Sequence, residues 1–247
     1  MIELSFGGVS LLDYADTYTQ KGSRPMLASP IDYFASIPTR DGGYHWGKYY
    51  EKKRFSLPCV INFTDRDDLI TKIQLLSGVF DTKGGFKQLI LSDQDDRYYL
   101  AKLEQNIDVD MELGTFTLNL VCATPFGIST TLTSSSHAIA ASPQTVTENP
   151  GGSVFVEPVI TLTATAESAG IIVNNATSGE QLTWAGTLAI GEVLVINSEL
   201  WLVTYQGNPS MANVSWRLPS LQPSVLNSFN ISNFEGALKF TYRARYL

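Results

Sequence analysis

The chain has 247 residues, 44% of them hydrophobic and 17% charged, which is too apolar for intrinsic disorder and long enough for one large domain or two ordinary ones. Its formal net charge of −7 argues against a nucleic-acid binder, which needs clustered Lys and Arg to neutralise phosphate. The uncharged run from Leu113 to Thr147 is rich in Ser and Thr and broken by Pro and Gly, so it is no bilayer-spanning helix.

From the N-terminus, MIELSFGG carries Glu3 and no basic segment, so no signal peptide is expected. A reducing compartment follows as the expectation for the two cysteines, Cys59 and Cys122. Both lie in apolar runs and read as buried, inert thiols. Residues 44–50 form an aromatic loop containing His45. A strand is expected over residues 55–62. Over 67–80 the apolar Leu69, Ile70, Ile73, Leu76 and Phe80 form a helical stripe. Thr64 is its expected N-cap, with Asp67 three residues on and acidic residues at the positive helix end.

Strands are predicted next at 88–91 and 97–103, with the acidic turn Asp93-Gln94-Asp95-Asp96 near their junction. Asp108, Asp110 and Glu112 alternate with apolar residues, which puts three carboxylates on one face of a short extended segment. Residues 115–122 then alternate strictly, with Phe116, Leu118, Leu120 and Cys122 on one side, the signature of a half-buried antiparallel strand. In the second half, strands are expected at 159–165, 193–196, 200–205 and 238–246, separated by Gly and Asn turn signals.

Charge density divides the chain. Residues 1–135 carry 13 basic and 17 acidic side chains, whereas 136–247 carry 4 and 7. A Ser/Thr/Ala stretch closed by Asn149-Pro150-Gly151-Gly152 lies between them. This composition predicts a domain at 1–135, a linker at 136–152 and a second, all-β domain at 153–247.

Chemistry-bearing motifs are scarce. Two histidines, His45 and His137, leave little for a metal site, and no nucleophile elbow, zincin helix or phosphate-binding loop is present. No catalytic residue, metal site or cofactor is therefore expected, and the chain is not expected to be an enzyme. The acidic cluster at 93–96 lacks the glycine and downstream glutamate of a calcium loop. Trp184, Trp201 and Trp216 each sit among strand-like apolar residues, which favours core packing over ligand stacking. An adhesion module reading host cell-wall saccharide through Trp184 and Trp201 is the alternative.

The order of Ile37-Pro38-Thr39-Arg40-Asp41-Gly42, the helix, Leu89-Ile90-Leu91-Ser92-Asp93, Tyr98-Tyr99-Leu100-Ala101-Lys102-Leu103 and Cys122-Ala123-Thr124-Pro125-Phe126-Gly127 resembles the distal tail proteins (Dit) of long, flexible-tailed bacteriophages. Glu157-Pro158-Val159-Ile160, the tract at 171–175 and the terminal Phe240–Leu247 extend the likeness over nearly the whole chain. The resemblance implies a mainly β fold: an N-terminal β-sandwich with one α-helix and a β-hairpin, then a C-terminal galectin-like β-sandwich. It also implies a homohexameric ring in the virion at the distal end of the tail, assembled in the host bacterial cytoplasm. Such a ring joins the tail tube protein to baseplate, tail-associated lysin, fibre or receptor-binding proteins, and DNA passes through it without specific binding or membrane insertion. Within that frame Tyr44, Trp46, Tyr49 and Tyr50 are candidate ring-interface residues, because open strand edges and exposed aromatics pair readily. Asp93, Asp95, Asp96, Asp108, Asp110 and Glu112 are candidates to line the channel, where acidic walls would repel phosphate.

Overall fold

The computed structural model describes residues 2–19, 25, 27–36, 41–81, 83–215 and 217–247. Ile37, Pro38, Thr39 and Arg40 of the first quoted motif, and Trp216, lie outside the described residues. The chain divides into two compact units, one running to Thr130 and one spanning Thr131–Tyr246.

The first unit contains strands β1 (Leu4–Phe6), β2 (Val9–Ser10), β3 (Thr17–Thr19), β4 (Pro30–Ser36), β5 (Gly43–Tyr50), β6 (Arg54–Ile61), β7 (Lys87–Leu91), β8 (Gln94–Leu103), β9 (Thr115–Cys122) and β10 (Gly127–Ser129). Its main sheet runs β2-β1-β7-β8-β9-β6-β3, and β10 adds to β8. An antiparallel bridge between Ile2 and Thr19 brings the β3 edge back to the start of β1, so one continuous sheet curls to supply both layers around its core. The alternation that predicted strands fixes which side faces in: Phe55, Leu57, Cys59 and Ile61 are at most 3% exposed, and Phe116, Leu118, Leu120 and Cys122 at most 6%. Full burial of such side chains stabilises by roughly 1.5–3 kcal/mol each.

Helix α2 (Arg66–Phe80) lies where the apolar stripe predicts it, with Leu69, Leu76, Val79 and Phe80 buried and Phe80 5.7 Å from the ring of Phe6. Its cap is one residue later than expected. Asp65, not Thr64, is the N-cap and accepts from the Asp68 N–H at 2.8 Å, while Asp68 reaches back to the Thr64 N–H at 3.0 Å. An aspartate in both roles serves as well as the Thr/Asp pair the spacing suggested. A second, five-residue helix, α1 (Leu11–Ala15), was not expected; its cap at Ser10 and left-handed Asp16 end it within one and a half turns.

The second unit contains β11 (Thr133–Ile139), β12 (Gln144–Glu148), β13 (Val159–Ala164), β14 (Ser168–Asn175), β15 (Glu180–Leu188), β16 (Val193–Asn197), β17 (Leu202–Tyr205), β18 (Asn208–Pro209), β19 (Val214–Ser215), β20 (Asn227–Ser232) and β21 (Gly236–Tyr242). They form two sheets, β11-β21-β13-β16-β17-β18 and β12-β20-β14-β15-β19. Ile160, Leu162, Leu238 and Phe240 from the first meet Ile171, Val173, Phe229 and Ile231 from the second in one buried cluster. The Phe229 and Phe240 rings stand 4.9 Å apart across the sandwich.

The linker expected at 136–152 is instead part of this sandwich. β11 pairs with β21 over seven residues and β12 with β20 over five. Backbone ladders need no particular side chain. A strand whose outward positions are Ser and Thr therefore reads in composition like a connector, although Ile139 and Val146 drop into the core.

Candidate functional site

Among the described residues β4 and β5 pair only with each other, forming a two-stranded ribbon. The segment expected as an aromatic loop is thus strand, since the aromatic Tyr44, Trp46, Tyr49 and Tyr50 extend as readily as they loop. No residue of either strand is buried. Tyr33, Phe34, Trp46 and Tyr49 are 62%, 63%, 77% and 51% exposed. The register runs Ile31↔Tyr49, Tyr33↔Gly47 and Phe34↔His45, so Trp46 is the extra residue of a bulge beside Gly47, whose φ is +148°. Bulges re-aim side chains and occur where function requires it. The Tyr33 and Tyr49 rings lie 6.3 Å apart on one face; on the other Phe34 packs 5.2 Å from His45, whose Nε2 meets Asp32 Oδ1 at 3.2 Å. An isolated hairpin is marginal in water, and here both faces are wet and aromatic. Contiguous exposed apolar surface is uncommon on monomeric proteins and concentrates where a partner binds. Of the candidate interface residues, Tyr44, Trp46 and Tyr49 are exposed and Tyr50 is half-buried, all on β5.

The six acidic candidates are all exposed but form two groups. Asp93 sits in the turn between β7 and β8, with Asp95 and Asp96 beginning β8. Asp96 is neutralised by the bidentate guanidinium of Arg97 at 2.9 and 2.8 Å, which holds its carboxyl below the usual range. Asp108 and Asp110 lie past the far end of that ten-residue strand, bordering an open polar groove of about 480 Å³ with Gln105, Asn106 and Asn119. The extended alternation stops at Asp110: its carboxylate accepts from the Glu112 and Leu113 N–H groups at 2.8 and 3.0 Å and folds the chain into a turn. Gly114 closes that turn at φ +65°, where a β-carbon would stand 2.7 Å from the Ile61 carbonyl. Glu112 therefore lies in the turn and is not the third member of an extended face.

The tryptophans separate. Trp184 is 1% exposed and donates from Nε1 to Ser210 Oγ at 3.0 Å, so it is core and unavailable to a saccharide. Trp201 is 63% exposed. It ends the turn between β16 and β17, which explains why the strand expected from Leu200 begins at Leu202.

His137 lies on β11, where its Nε2 meets Glu148 Oε1 at 2.5 Å; Ser135 Oγ donates to the same oxygen, and Tyr242 OH to Oε2 at 3.1 Å. Serine and histidine both turn to the carboxylate and not to each other, so no proton relay to a serine nucleophile is assembled. Burial beside Glu148 pushes the Tyr242 phenol up to about 12. Cys59 and Cys122 are buried, free thiols pushed up to about 12 by burial. Among the described residues no cluster of three or more His, Cys, Asp or Glu could hold a metal ion.

Residues 9–122 match the family model of the phage tail protein RIFT-related domain. Over the full length of both chains the fold aligns with the SPP1 Dit protein at a TM-score of 0.79 and 14% identity. That structure is described as a paradigm of the hub adsorption apparatus in phages infecting Gram-positive bacteria. The phage p2 baseplate in its activated conformation with strontium aligns over 98% of each chain, at 0.45 and 9% identity. Its calcium form aligns over 99% of this chain and 98% of that one, at 0.46 and 8% identity. Among curated proteins, none matches the sequence.

Proposed function

We propose, proceeding from a chain that carries a phage tail protein RIFT-related domain on the fold of SPP1 Dit, that it is a structural component of a phage tail tip. In the finer reading it is a hub: six copies close into a ring that joins the tail tube to the baseplate or tip proteins and lets DNA pass. The role is geometric and assigns the chain no bond-making chemistry. It places the chain in the virion at the distal end of the tail, after assembly in the host cytoplasm, with a galectin-like second unit able to carry tip or receptor-binding proteins.

The observation that carries this reading is the β4–β5 ribbon. Five large side chains, Tyr33, Phe34, Tyr44, Trp46 and Tyr49, stand at least 46% exposed on a hairpin with no buried residue. A ring of identical chains needs a head-to-tail contact in which one surface meets a different surface of the next copy. A protruding aromatic ribbon suits such a contact, because it gains its covering layer only from a neighbour. The acidic groups at Asp93, Asp95 and Asp96 and at Asp108, Asp110 and Glu112 then supply carboxylates to the channel wall, where they keep the phosphate backbone from adhering.

Sedimentation and negative-stain imaging of the purified chain, alone and with its tube and tip neighbours, test the reading. An annulus of six copies is expected, and Trp46→Ala combined with Tyr33→Ala should reduce it to monomer. A wild-type chain that stays monomeric under every one of these conditions overturns the ring.

A further inference from the structure

We infer that the second unit carries a binding site for a neutral pyranose sugar, built around Trp201 and separate from the ring-forming ribbon. Four stretches of chain converge there on a pocket of about 210 Å³ lined by Glu157, Glu180, Ser198, Trp201, Arg217 and Ser220. Ser198 ties three of them together: its N–H donates to the Pro158 carbonyl at 3.1 Å and its Oγ to the Pro219 carbonyl at 2.8 Å. The size is below the roughly 300–1,000 Å³ of drug-sized pockets and suits a single sugar ring.

Both carboxylates are fixed through one oxygen. Glu157 Oε2 accepts from Arg245 at 3.0 Å, and the same guanidinium reaches Glu199 at 3.1 Å. Glu180 Oε2 accepts from Ser178 Oγ at 2.9 Å and from the Ser220 N–H and Oγ at 2.7 and 2.8 Å. No hydrogen bond among the described residues reaches Oε1 of either side chain, so each carboxylate is held in place with an acceptor to spare. Vicinal hydroxyls are the donors that such a pair fits, and acceptors fixed in advance cost a ligand little ordering entropy.

Trp201 supplies the apolar wall. Its indole is 63% exposed, and the backbone beneath it is left-handed at φ +53°. Arg217, across the same pocket, is left-handed at φ +89° and makes no ion pair or hydrogen bond among the described residues. Bulky residues keep such backbone only where the surroundings enforce it, and these positions concentrate at binding sites. An exposed aromatic face beside oriented hydrogen-bonding groups matches a pyranose, which presents C–H bonds on one face and hydroxyls at its rim. The lining holds two carboxylates against the one unpaired guanidinium, which favours a neutral sugar over an acidic one.

The test uses the full chain and saturation-transfer NMR with the methyl glycosides of glucose, galactose, mannose, N-acetylglucosamine and N-acetylgalactosamine, and with glucuronate. Saturable binding of at least one neutral glycoside is expected. Trp201→Ala should weaken it at least about tenfold with an unchanged melting curve, Trp201→Phe should retain part of it, and Arg217→Ala should weaken it. Binding that survives Trp201→Ala, a preference for glucuronate, or no saturable binding by any of these sugars overturns the assignment. So does a Trp201 surface that captures only a tail protein.

Discussion

A β-carbon placed on Gly186 would stand 2.3 Å from the indole ring of Trp184 two residues earlier on β15. The ring leans forward along its own strand, packs 5.6 Å from Tyr205 and donates to Ser210. Glycine at 186 is therefore the condition for burying the largest side chain in this core. Gly186→Ala must displace the ring, and overpacking of this kind costs roughly 1–3 kcal/mol. The expected outcome is a lower urea midpoint, followed by tryptophan fluorescence, with an unaltered strand content in the far-ultraviolet.

The ribbon predicts the opposite separation of stability from assembly. Trp46 is 77% exposed and contributes to neither buried cluster. Exposed substitutions away from caps and cores change stability by about 0.5 kcal/mol or less. Trp46→Ala should leave the melting curve in place and shift the sedimentation profile of the assembled form toward monomer.

Helix α2 offers a sharper test of its true first residue. Asp65 caps the Asp68 N–H, and Thr64 makes its contacts through Asp68. Asp65→Ala should destabilise the first unit by about 1 kcal/mol, the ordinary value of an N-cap. Asp67→Ala should do far less, since the box the spacing suggested is not the one formed. Chemical denaturation of both variants distinguishes the two.

Strands with a buried face were legible because period-two alternation is a direct imprint of burial: β6, β9, β13 and β16 lie within a residue or two of their predicted ends. The aromatic face of the ribbon was legible as composition but not as strand, because both its sides face solvent and no alternation survives. β11 was hidden for a different reason: its burial alternates, but the inward positions before Ile139 are Thr133, Ser135 and His137, so its sequence imitates a linker. Local sequence also could not separate Trp184 from Trp201, both flanked by apolar residues. Glycine two residues on lets one ring fold into the core, and a turn at Ser198–Trp201 turns the other out. Nor does anything in Lys52-Lys53-Arg54 reveal that Lys53 alone is buried, 5.2 Å from the Tyr99 ring centroid. The acidic candidates are all exposed, and their division into two groups follows from the length of β8, a property of the fold and not of any one residue.

Alkaline pH should unfasten the first unit through its two thiols. Cys59 and Cys122 ionise near 9.0 when unconstrained but are pushed up to about 12 by burial in the folded state. Below pH 9 both states keep their protons, and the thiols add no pH dependence. As pH rises from 9 toward 12 the unfolded chain releases protons that the folded chain retains, so folding stability falls across that window. Tyr242 adds the same trend to the second unit, starting from its ordinary 10.0. Urea midpoints measured by circular dichroism at increasing pH should therefore decline, and Cys59→Ala or Cys122→Ala should flatten the slope even though each lowers the neutral-pH midpoint by opening a cavity. A slope unchanged in both variants would mean that the thiols ionise as freely in the fold as out of it. The companion observation is kinetic: at about pH 8 neither thiol should react with Ellman's reagent until urea unfolds the chain, because a buried neutral thiol is not a nucleophile.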